Sequence, residues 1–211
     1  MTDVDVRALR ADASRNRDAL LWAATRAFAT AEAEPSMRAI AREAGVGIAT
    51  LYRHFPTRES LVDAVYHDQV ERLTVGASEL LGQLPPAEAM RRWMDLFGDW
   101  LVTKHGMIGT LLAMIESGEI ALAQTRAELL DVITTILEAG RAAGDLRADI
   151  TAEDIAASLI GIFTVVGKPE QRPQADRLLN LLMDGLRPRP DGLNRAGPQR
   201  NLDRAGGVIE V

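Results

Sequence analysis

The chain has no cysteine among its 211 residues. That excludes a disulfide framework, a thiolate metal site and a cysteine nucleophile. Histidine is scarce: three in all, His54, His67 and His105, far apart and in no metal-ligand spacing such as HExxH. Glycine-rich phosphate loops, a GxSxG elbow and a dinucleotide fingerprint are also missing, and acid pairs such as Glu153-Asp154 are explained by a helix start. Catalytic, metal and cofactor roles therefore have no residues to rest on, and neither an enzyme nor a cofactor is expected. No apolar run approaches the ~18 residues of a membrane span. The first twelve residues, MTDVDVRALRAD, are too charged for a signal peptide, so a cytoplasmic protein is expected. An overall excess of positive charge, the usual footprint of a nucleic-acid partner, is lacking as well: net charge is −6.

What is present is a normal hydrophobic content, 47%, enough for a real core. Charge is unevenly spread. Residues 1–70 hold nine Lys/Arg against ten Asp/Glu, while the remainder holds fifteen against twenty. The first third is near neutral, and Arg26, Arg38, Arg42, Arg53 and Arg58 lie in or near one stretch. A local basic face can bind phosphates while an acidic body sets the net charge.

That stretch is Arg38 to Phe55, RAIAREAGVGIATLYRHF. Ser36 is placed as the N-cap of a first short helix. Met37, Ile40, Ala41 and Ala44 recur at helical spacing. Gly45 supplies the backbone freedom of a sharp exit, and Val46 plugs the gap. Gly47 opens a second helix whose Leu51 and Phe55, four apart, point inward. Ile48, Ala49, Thr50, Tyr52, Arg53 and His54 are left outside. The surface is small at its start and polar farther along, as a helix needs if it is to approach base edges and hold phosphates.

The string Ile40-Ala41, Ala44-Gly45-Val46, Thr50-Leu51-Tyr52, His54-Phe55, followed by Arg58-Glu59, closely resembles the helix-turn-helix of the TetR family of bacterial transcriptional regulators. The resemblance covers the first third of the chain. Gly47 departs from it: the family often has serine there, and glycine costs only a few tenths of a kcal/mol as a cap. By position the resemblance implies phosphate contacts from Tyr52, His54, Arg58 and Ser36. It implies base-facing positions at Arg38, Ile48, Ala49, Thr50 and Arg53, of which Ile48 and Ala49 are suited to a thymine methyl.

In order along the chain, residues 1–12 read as a polar arm. A helix from about Ala13 to Ala31 carries Leu20, Leu21, Ala24, Ala27 and Phe28 on one stripe. The loop from Glu32 to Pro35 and the helix-turn-helix at 37–55 complete a three-helix DNA-binding domain, 13–60. Thr57 caps a long helix running to about Leu84 and belonging partly to each domain. Pro85-Pro86 breaks it. Beyond that point every strong period is helical. Trp93, Met94, Phe97 and Trp100 lie on one helix. Residues 106–117 are short and apolar. Glu119 to Ala143 forms a helix ended by Gly144. Thr151 opens a helix to about Val166, with Ile150 and Ile155 as a staple. Lys168 to Pro173 is a loop, and Gln174 to Leu186 is the last helix. Residues 188–211 read as a disordered tail.

The expectation is an all-α protein: a helix-turn-helix domain followed by a helical-bundle domain, 61–187, that binds a ligand and dimerises. Trp93, Met94, Phe97, Trp100, Met107, Leu111, Met114 and Phe163 either fill its core or line a pocket for a small apolar effector. The expected partners are double-stranded operator DNA, a second copy of the chain and that effector, with no membrane. The expected function is a ligand-responsive repressor on a palindromic operator. The alternative is a regulator controlled by a protein partner.

Overall fold

The computed structural model describes residues 3–30, 34–166 and 169–188. Of the tail expected at 188–211, residues 189–211 lie outside the described residues. Every regular element among them is helical: α1 (Asp3–Thr30), α2 (Met37–Glu43), α3 (Ile48–His54), α4 (Arg58–Gln83), α5 (Pro86–Gly106), α6 (Ile108–Glu116), α7 (Leu122–Ala143), α8 (Ala152–Val165) and α9 (Arg172–Leu186), with a 3-10 turn at Pro169–Gln171.

Three boundaries differ from the sequence reading. The arm expected at residues 1–12 is helical backbone from Asp3 onward. No glycine or proline occurs before Pro35, so no breaker in the sequence stops α1 from extending. Helix α7 begins at Leu122 rather than Glu119, because Gly118 turns the chain at φ +80°. Helix α9 begins at Arg172, since Pro173 is tolerated in a first turn whose amide would be unpaired anyway.

The caps fall where residue type dictates. Thr57 Oγ1 accepts from the Ser60 N–H at 3.1 Å, and Ser60 Oγ accepts from the Thr57 N–H at 3.2 Å, a reciprocal box that starts α4. Thr151 and Asp154 do the same for α8. The Asp154 carboxyl is held below its ordinary pKa by the Thr151 N–H it accepts.

One hydrophobic cluster runs through the molecule, from Leu20 and Phe28 through Leu51, Leu61 and Val65 to Trp93, Ile133, Leu159 and Leu179. Helix α4 crosses the boundary expected at residue 60 and packs against α1 as well as α5, α6 and α7. Helix α5 also packs closely on α1. A Cβ at Gly106 would stand 1.8 Å from the Phe28 carbonyl oxygen, so only glycine fits. Two buried polar contacts fasten the bundle: Trp93 Nε1 donates to the Leu73 carbonyl at 2.9 Å, and Tyr66 and Thr125 pair their hydroxyls at 3.0 Å. Arg172 bridges Asp99 at 2.6 Å and Asp95 at 3.2 Å, and Arg91 lies 3.5 Å from Asp176, tying α9 to α5. Among the described residues no helix is long and apolar enough to cross a membrane, and no cluster of side chains could hold a metal ion.

Candidate nucleic-acid interface

Helices α2 and α3 form the expected helix-turn-helix. Ser36 Oγ accepts from the Ala39 N–H at 3.2 Å and caps α2. Met37, Ile40 and Ala41 are buried. Gly45 adopts φ +69° with nothing within 4 Å of where a Cβ would stand, so the requirement there is backbone conformation. The turn is closed by Gly45 N–H on the Arg42 carbonyl at 3.1 Å and Val46 N–H on the Ala41 carbonyl at 3.0 Å. Gly47 caps α3 through its carbonyl alone, accepting from Thr50 N–H at 2.9 Å. Leu51 is fully buried and Phe55 nearly so, which fixes the rotation of α3 about its axis.

That rotation leaves Ala49, Tyr52 and Arg53 exposed and Thr50 and His54 half-buried. Tyr52 is 48% exposed, high for an aromatic side chain that no packing holds out of the core. Ile48 is half-buried against the core, so it presents only part of its surface. Ser36, Arg38 and Arg42 are exposed at the neighbouring α2. The structure therefore assembles one face of small residues at the start of α3 with hydroxyl, imidazole and guanidinium groups around it.

Arg58 does not join that face. Its Nε donates to Thr110 Oγ1 at 3.1 Å and its Nη1 to the Pro35 carbonyl at 2.7 Å, and Nη2 lies 3.2 Å from Glu34 Oε2. Its guanidinium also sits 5.7 Å from the Phe28 ring centroid. Glu34 in turn accepts from the Thr110 N–H at 3.1 Å, in the first turn of α6. In this structure the Arg58 donors are engaged by Thr110, Pro35 and Glu34. Arg58 instead clasps the loop before α2 to α6. Arg17, which the sequence reading left out, stands beside the end of α3 with its guanidinium 5.4 Å from the Phe55 ring centroid. A cation on α1 carries no local motif, and only the α1–α3 packing reveals it.

In the bundle, seven of the eight candidate pocket residues are solid core: Trp93, Met94, Met107 and Leu111 are fully buried, and Phe97, Trp100 and Met114 nearly so. The tilted rings of Trp93, Phe97 and Trp100 stack in series at 5.6 and 5.4 Å. Phe163, the eighth, borders two cavities. One, of about 500 Å³, lies between α1, α4, α5, α8 and α9 and includes Trp22, Arg72, Leu96 and Val102. The other, of about 510 Å³, lies between α5, α6 and α8 and includes Leu101, Lys104, His105, Ile108 and Ile160.

Comparison with known proteins places this arrangement. Residues 20–65 match the family model described as bacterial regulatory proteins, tetR family, and residues 85–188 match that of the transcriptional regulator SbtR-like C-terminal domain. The structure is similar to that of a TetR transcriptional regulator from Streptomyces coelicolor, with 44% identity and a TM-score of 0.76 over 82% of this chain and 99% of that one. It is also similar to a TetR transcription regulatory protein from Mycobacterium vanbaalenii, with 34% identity and a TM-score of 0.67 over 85% of this chain and 99% of that one. No curated protein sequence matches.

Proposed function

The chain belongs to the TetR family of bacterial transcriptional regulators, and from that premise we propose that it is a ligand-responsive repressor that grips a palindromic operator as a homodimer. The observation that carries the reading is the exposed face of α3 with Tyr52, Arg53 and His54 beside Ala49 and Thr50. Tyr52, His54 and Ser36 hold phosphates. Arg38, Ala49, Thr50 and Arg53 face bases, and Ile48 adds an apolar edge. One such helix reads only a few base pairs, so a second copy is needed to define a site. Helices α8 and α9 supply a surface for it: Val165 is 70% exposed and Leu181 66%. Leu178, Leu182 and Ile162 are half-buried nearby, and Gly161 and Gly185 face open space that a partner helix can approach closely.

An effector that binds better to one spacing of the two reading heads than to the other shifts operator affinity by that difference. Selection of binding sequences from random duplex DNA tests the reading. The expected product is an inverted repeat whose affinity falls steeply with salt, because phosphate contacts release counterions. A selected site without two-fold symmetry, or a flat salt response, would falsify it.

A further inference from the structure

The C-terminal end of α5 carries an uncompensated positive charge. Lys104 is one of only two lysines among the 24 cationic residues of the chain. The half-buried arginines of the bundle all have carboxylates: Arg91 has Asp95, Arg172 has Asp95 and Asp99, and Arg147 has Asp149. Lys104 is half-buried too, yet among the described residues no carboxylate lies within 4.0 Å of it. Among the described residues its charge meets the face of Trp100, 5.1 Å from Nζ to the ring centroid. Burial holds its pKa below the ordinary lysine value, and no acidic neighbour opposes that shift. The Trp100 indole N–H is itself buried and has no acceptor among the described residues. Taking an ammonium out of water without an anion is costly, and the cost is recovered when an anion arrives.

Lys104 borders the cavity of about 510 Å³ between α5, α6 and α8. That volume is in the range of small-molecule sites. Leu101, Ile108, Ile160 and Phe163 give it apolar walls, and Thr164, Gln171 and Val165, the last also on the α8 face offered to a partner chain, line it too. Ile160 is 54% exposed and Ile108 36%, although both are large aliphatic side chains. His105, exposed beside Lys104, offers a second nitrogen.

We propose that this cavity is the effector site and that its ligand is an amphipathic carboxylate, with its head on Lys104 and its apolar body along Leu101, Ile108, Ile160 and Phe163. One ammonium matches a monoanion. A phosphate dianion would leave a charge uncompensated in an apolar groove, and a neutral ligand would leave the ammonium as it is. The assignment rests on the ligand-responsive reading above and gives it a ligand class. The effector lies beside the aromatic core, against the start of α6. That helix is also where Glu34 and Arg58 reach across from the DNA-binding side, at Thr110.

Calorimetry on the full chain with octanoate, 1-octanol and octylamine tests the proposal. Octanoate should bind more tightly than either neutral or cationic length match. Lys104→Met should weaken octanoate by roughly tenfold or more, the worth of a hydrogen bond to a charged group, and leave 1-octanol unchanged. Lys104→Arg should restore most of the octanoate affinity, which excludes misfolding as the cause. Ile160→Trp should block octanoate by filling the groove. Equal binding of octanoate and 1-octanol, octanoate binding indifferent to Lys104→Met, or no octanoate binding at all would each overturn it. Operator affinity is then measured with octanoate present. Lys104-dependent binding that leaves operator affinity unchanged would uphold the site and defeat the ligand-responsive reading instead.

Discussion

At the level of single residues, Tyr52 and Arg38 separate anchoring from readout. Tyr52→Phe removes only a hydroxyl from a half-exposed ring. It should weaken binding to every sequence alike, by about 0.5–1.5 kcal/mol. Arg38→Ala or Thr50→Ala should relax preference at particular base pairs, by about 1–3 kcal/mol for a good contact. Binding assays on a panel of single-base operator variants distinguish the two, and a sequence-dependent effect of Tyr52→Phe with a uniform one of Arg38→Ala would reverse the roles. Gly106→Ala is a test of packing. The added Cβ would meet backbone, the Phe28 carbonyl, at 1.8 Å, and no rotamer change relieves that. The expected loss is at least about 1–3 kcal/mol of stability in denaturant melts, and an unchanged midpoint would show that α1 and α5 can part freely. These residues also mark what the sequence makes legible. Ser36, Gly45 and Leu51 were readable because caps, turns and inward faces depend on near neighbours. The clasp that Arg58 makes was not legible. Its actual partners, Glu34 and Thr110, lie 24 and 52 positions away, and no local pattern encodes them.

At the scale of elements, the helices were legible wherever a breaker or a cap punctuated the chain: Thr57, Pro86, Gly144 and Thr151. They were misjudged where punctuation was ambiguous, as at Gly118 and Pro173, and where its absence was overlooked, as before Ala13. The aromatic stripe of helix α5 was legible from its helical spacing. Its periodicity could not say whether the stripe fills a core or lines a hole, since both need the same residues; the cavities open at its edges. One contact between elements has a direct consequence. The Glu34 carboxylate holds both Arg58 and the Thr110 amide, so it pins the loop before α2 to the first turn of α6. Glu34→Ala should speed hydrogen exchange at the Thr110 amide by roughly two- to tenfold, the net worth of one hydrogen bond. The selected operator sequence should stay the same, because Glu34 is not on the α3 face. Unchanged exchange at Thr110 would mean that the junction is held by Arg58 and apolar packing alone.

For the whole molecule, the open question is how two reading heads are held at a fixed separation. Successive major-groove faces on one side of a duplex recur every ~34–36 Å. A single chain presents one α3, so the separation has to come from the pairing of chains. The apolar faces left open on α8 and α9 are at the opposite end of the chain from α3, and α4 belongs to both ends. Leu181→Glu tests that arrangement with little risk to the fold, because a side chain that is 66% exposed adds little to the monomer core. The variant should keep its helical content and melt as the parent does. By light scattering it should shift toward monomer at micromolar concentration, since a buried, unpaired carboxylate opposes association. Operator binding should then become weaker and steeper in protein concentration, as each complex must gather two monomers on the DNA. Binding to an isolated half-site should be unaffected, because α3 is untouched. A Leu181→Glu protein that remains dimeric with full operator affinity would place the interface on another surface, and a parent chain that is monomeric on its operator would remove the dimer altogether.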